Sequence, residues 1–190
     1  MKTIFKNRAL SASYILFLIA TTILSVLSHY WYSISGSAIS EQGAQETLSS
    51  WIMNSIMVLL AVTSVVAGWD YYEDFMFHRI ILVLFGASLL MAVIFNPALS
   101  DSPVRNSSTY TAWHSYFLTT AALSFIILSF STALILEKKR ERVLTVAAAV
   151  STLIISFLLP ESERSEGLWQ KVIFIIAFGW MVFTFNSKES

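Results

Sequence analysis

The stretch Trp51–Trp69, WIMNSIMVLLAVTSVVAGW, carries no charged residue and is long enough to cross a bilayer as one helix. A membrane helix needs about 20 mainly apolar residues, because the hydrocarbon core is roughly 30 Å thick and each helical residue rises about 1.5 Å. Five other stretches read the same way, at 10–28, 80–95, 112–136, 143–159 and 168–185. The expected fold is therefore all-α: a polytopic membrane protein, residues 1–190, whose six transmembrane helices form an antiparallel bundle. Breakers fall between the spans, at Gly36, Gly43, Asn96-Pro97, Pro103, the charged run Glu137–Arg142 and Pro160. Connections this short make sequential helices antiparallel neighbours.

Composition agrees with the spans. Of 190 residues, 56% are hydrophobic and only 13% charged, against roughly 25% charged in a soluble domain. Twelve cations balance twelve anions, so nothing in the charge suggests a nucleic-acid partner. There is no cysteine, which removes disulfides, thiolate metal sites and a cysteine nucleophile together. The basic start at Met1–Arg8 could open a secretory leader. However, the apolar run continues to Leu27, and Ser28-His29-Tyr30-Trp31-Tyr32 contains no small-x-small cleavage pattern. A retained first helix is expected.

Lys and Arg set the direction of insertion. With the N-terminus inside, the inner face holds Lys2, Lys6, Arg8, Arg79, Lys138, Lys139, Arg140, Arg142 and Lys188. The outer face keeps Arg105, Arg164 and Lys171. Both termini are expected in the cytoplasm, with the chain integral to the plasma membrane. Tyr30, Trp31, Tyr32, Trp51, Tyr110, Trp113 and Trp169 gather at the outer boundary, where amphipathic rings settle.

Polar groups near the membrane are costly and mark places where function can reside. They are biased to the outer end: His29 closes the first span, Asn54 lies one turn into the second, His114 opens the fourth and Gln170 the sixth. The outer loops add Glu41. His29, His114 and Glu41 have the chemistry of a zinc site, but no ligand spacing joins them. Paired histidines could also hold haem only at matching depth across the bundle. Serines surround His29, yet no Gly-x-Ser-x-Gly elbow is present. No metal, cofactor or catalytic residue is therefore assigned. The spans lack Asp, Glu, Arg and mid-depth Lys, and proline stays in the loops, which argues against an ion-coupled carrier.

Several segments together resemble a known family. They are Ile39-Ser40-Glu41-Gln42-Gly43-Ala44, Trp51-Ile52-Met53-Asn54, Ile94-Phe95-Asn96-Pro97, Trp113-His114-Ser115 and Gly167-Leu168-Trp169-Gln170-Lys171, followed by Trp180. Their order resembles domain-of-unknown-function family 998, with a layout similar to the Frag1/DRAM/Sfk1 group. The family pattern differs at Gln42, at Asn96 and at Lys171. The resemblance implies a small prokaryotic six-helix membrane protein without an established activity. It brings His29, Glu41, Asn54, His114 and Gln170 forward as motif positions, all on the expected outer side. The functional expectation is an outer-side polar pocket that binds or handles a lipid or amphiphile, with membrane lipids as partners. The alternative is a membrane-embedded lipid hydrolase or transferase using His29 or His114 as base.

Overall fold

In lipid, every backbone N–H and C=O must find a partner within the chain, and apolar runs of this length do so as helices. The computed structural model describes residues 2–27, 50–96, 108–157 and 166–187, with side chains at 5–24, 50–96, 109–157 and 169–187. Six helices account for nearly all of them: α1 Lys2–Leu27, α2 Ser50–Tyr71, α3 Met76–Ile94, α4 Ser108–Ile135, α5 Lys139–Phe157 and α6 Glu166–Ser187. Five are long and apolar enough to cross a membrane: Phe5–Leu24, Ser50–Tyr71, Met76–Ile94, Thr109–Ile135 and Trp169–Ser187.

The remaining helix, α5, begins earlier than the apolar run at 143–159 predicts. Lys139, Arg140, Glu141 and Arg142 form its first turn instead of belonging to the connection. Arg142 explains why. Its guanidinium reaches back and donates from Nε and Nη2 to the carbonyl of Leu136, at 3.2 and 2.6 Å. The last carbonyls of a helix have no intrahelical donor, so Arg142 closes the end of α4 from within α5. Arg79 does the same two connections earlier, between α2 and α3. It donates from Nε to the carbonyl of Trp69 at 3.0 Å, and its guanidinium lies over the Trp69 ring at 4.8 Å. Two cations expected to set direction thus also tie consecutive helices together.

Each helix packs on its neighbours in sequence, and α6 closes the ring against α1 while also touching α2. A chain of aromatic contacts links the layers. Phe17 of α1 meets Phe178 of α6, which meets Phe85 of α3; Phe85 meets Phe125 of α4, and Phe125 meets Trp180 of α6. Trp180 then donates from Nε1 to Thr145 Oγ1 of α5 at 2.9 Å. The outward faces carry Ile15, Ile19, Val58, Val62, Val83 and Leu84, all exposed. A water-soluble protein would not display such contiguous apolar faces, whereas lipid tails solvate them.

The two chain ends share one end of the bundle. Lys6 pairs with Asp70 at 2.8 Å, Asn7 donates from Nδ2 to the carbonyl of Phe185, and Asn186 Nδ2 donates to Ser11 Oγ. The start of α2, the end of α3 and the starts of α4 and α6 therefore meet at the opposite end.

Candidate functional site

That opposite end holds Asn54, Asn96, His114 and Gln170, each brought there by a different helix or helix end. Together they line a cavity of about 30 Å³, with Met53, Met57, Ala92, Val93 and other apolar side chains completing the wall. That exceeds the roughly 10–15 Å³ that one ordered water needs. Asn54, His114 and Gln170, drawn from three separate sequence segments, thus face a common space. His29 and Glu41 lie outside the described residues.

His114 is turned inward, away from the headgroup-facing role that an interfacial histidine would have. Its Nδ1 lies 2.8 Å from the carbonyl oxygen of Ala92, in the last turn of α3. A carbonyl can only accept, so Nδ1 carries the hydrogen. The contact supplies a donor to a helix-terminal carbonyl and fastens α4 to α3. The other ring nitrogen, Nε2, is buried without a hydrogen-bond partner among the described residues. In the neutral ring that atom is a bare acceptor.

A second, larger cavity of about 530 Å³ lies between α3, α4, α5 and α6. Its size falls within the range of small-molecule pockets, about 300–1,000 Å³. The walls are mostly apolar, with Phe85, Phe125, Phe157, Trp169 and Phe174 contributing rings. Leu89, Leu118, Gln170 and Phe174 line both cavities, so the small polar space adjoins the large apolar one. Two hydroxyls of α5, Thr152 Oγ1 and Ser156 Oγ, are buried in the large cavity's wall residues and lack a partner among the described residues. Serines and threonines in helices ordinarily bond to a carbonyl one turn back, as Thr132 and Ser129 do here.

The amides at the small cavity were open to sequence reading only in part. Asn96 reads as a helix stop beside Pro97, and nothing local marks it as a cavity residue. Thr152 and Ser156 carried a usable signal: with Thr145 and Ala149 they recur at the spacing of one helix face. The polar stripe on an otherwise apolar helix points inward.

Among the described residues, the lining of the two cavities includes no Asp, Glu, Lys or Arg, and the small cavity has no hydroxyl beside His114. One imidazole among amides is a poor ligand set for a divalent cation, which needs several charged or imidazole donors. Among the described residues, no group of three His, Asp or Glu side chains converges. The arrangement can accept and donate neutral hydrogen bonds beside a large apolar space.

The fold and this end-on site define a helical membrane bundle with a small polar cavity adjoining a larger apolar one. The chain belongs to the family described as protein of unknown function (DUF998), whose profile matches residues 11–185. No curated protein and no solved structure matches it.

Proposed function

We propose that this protein binds one amphiphile from the membrane, its tail in the α3–α6 cavity and its polar end at the Asn54–Asn96–His114–Gln170 cluster. One observation carries the reading: the adjoining of a roughly tail-sized apolar cavity and a small polar one through Leu89, Leu118, Gln170 and Phe174. An amphiphile satisfies both spaces at once, burying apolar surface at one end and making hydrogen bonds at the other. Binding is favoured over hydrolysis because His114, the candidate base, has no nucleophile or carboxylate beside it among the described residues of the small cavity. In this reading the site opens toward the outer leaflet of the plasma membrane, as the distribution of Lys and Arg directs.

Mass spectrometry of lipids retained by the detergent-purified protein tests it. Wild type is expected to hold one amphiphile class near equimolar amount, enriched over bulk lipid. Ala122→Trp, which places an indole in the large cavity, is expected to lose it. Equal, unselective lipid in both proteins would reduce the cavity to a gap in helix packing and end the proposal.

A further inference from the structure

We infer that the amphiphile bound at this site carries an uncharged, hydroxyl-bearing polar end that donates a hydrogen bond to His114 Nε2; the inference rests on the binding function proposed above. Three features of the small cavity converge on that chemistry.

The first is direction. Ala92 holds the hydrogen of His114 on Nδ1, at 2.8 Å, and this leaves Nε2 as an acceptor buried without a partner among the described residues. A buried acceptor left unmade is costly, so the group that fills the space should be a donor. An ester carbonyl, a ketone or an ether oxygen has no hydrogen to give. A hydroxyl does.

Size is the second. The cavity is small, about 30 Å³, with room for a group the size of a few water molecules at most. A hydroxyl replaces a water with little change in volume, while a phosphate or a quaternary ammonium group is several times larger.

Charge is the third. Among the described residues lining the two cavities, none is Lys, Arg, Asp or Glu. A carboxylate or phosphate buried here would have no cation to compensate it, and a buried unpaired charge is far more costly than a buried hydroxyl. Asn54, Asn96 and Gln170 surround the space with amides, which suit a neutral polar group. Monoacylglycerols, diacylglycerols and long-chain or isoprenoid alcohols share the required chemistry.

Four probes with one oleoyl tail separate the possibilities: 1-oleoylglycerol, methyl oleate, oleate and oleoyl lysophosphatidate. Each is titrated into the full-length protein and bound ligand is read by native mass spectrometry. 1-Oleoylglycerol is expected to bind one to one, about tenfold more tightly than methyl oleate and with a larger margin over the two anions. His114→Phe should bring 1-oleoylglycerol down to the affinity of methyl oleate, with little change in methyl oleate itself. The comparison among probes on wild type stands even if that variant folds poorly. Equal binding of all four, abolished by Ala122→Trp, would overturn the hydroxyl inference while leaving the amphiphile site intact. Preference for an anion would overturn it as well. Binding of none would remove the proposed function together with the inference.

Discussion

The phenol of Tyr72, in the turn after α2, donates to Thr132 Oγ1 of α4 at 2.7 Å. The direction follows from the threonine, whose own hydrogen goes to the carbonyl of Leu128 at 2.6 Å. Tyr72 is fully buried, stacked on His78 and edge-on to Tyr71 and Phe185. The bond therefore joins the aromatic cluster at this end of the bundle to α4.

The two partners are not equivalent on mutation. Tyr72→Phe removes the donor and leaves Thr132 still bonded to Leu128, at an expected cost of about 1 kcal/mol. Thr132→Val strands a buried phenol and should cost more, about 1–3 kcal/mol. The double variant should resemble Tyr72→Phe alone. Reversible unfolding in mixed detergent micelles measures all three, and equal single-mutant effects would refute the assigned direction.

Close approach of α2 and α3 depends on Gly86. A β-carbon there would collide with Val65 Cγ2 and sit 3.4 Å from the carbonyl oxygen of Ala61. Valine is stiff about χ1 and cannot easily turn aside. Gly86→Ala is expected to destabilise by about 1–3 kcal/mol. Adding Val65→Ala should restore much of the loss, so the two effects should be clearly non-additive in the same unfolding assay.

Lys6 and Asp70 join α1 to α2 at 2.8 Å, but each side chain is about 30% exposed. Screening by water and salt limits such a pair. A double-mutant cycle with Lys6→Ala and Asp70→Ala should give a coupling below about 1 kcal/mol, shrinking as salt is raised. A larger, salt-independent coupling would show that the pair is desolvated in the membrane.

Because the chain contains no cysteine, single cysteines report topology without background labelling. Lys139→Cys, at the start of α5, and Tyr110→Cys, at the start of α4, replace exposed residues at opposite ends of the bundle. A membrane-impermeant maleimide should label Tyr110→Cys in intact cells and Lys139→Cys only after the inner face is opened. The reverse pattern would place the polar cavity on the cytoplasmic side.

Much of the fold was legible because lipid imposes so few solutions. The run Trp51–Trp69 cannot leave its backbone groups unpaired in hydrocarbon, and helix is the only local way to pair them. Boundaries were less visible. The charges of Lys139–Arg142 read as a connection, yet Arg142 works from inside α5 by closing α4. That role depends on where the carbonyl of Leu136 lies in space, which no local pattern records.

For the site, sequence depth grouped Asn54, His114 and Gln170 at one end of the spans, and in the structure the three line one cavity. Depth alone says nothing about rotation around each helix axis, and most of these helices are apolar on nearly all sides. Whether two residues at equal depth face lipid or each other was therefore undecided until the helices packed. Only the packing of α6 against α1, α2 and α5 brings Gln170 beside His114 and leaves the large cavity between α3, α4, α5 and α6. The sequence by itself determined the class of protein, the helices and their alternating direction, because hydrophobic length and backbone hydrogen bonding act locally along the chain. The tertiary structure alone decided which polar atoms meet and which remain unpartnered, because those depend on helix rotation and packing between segments far apart in sequence.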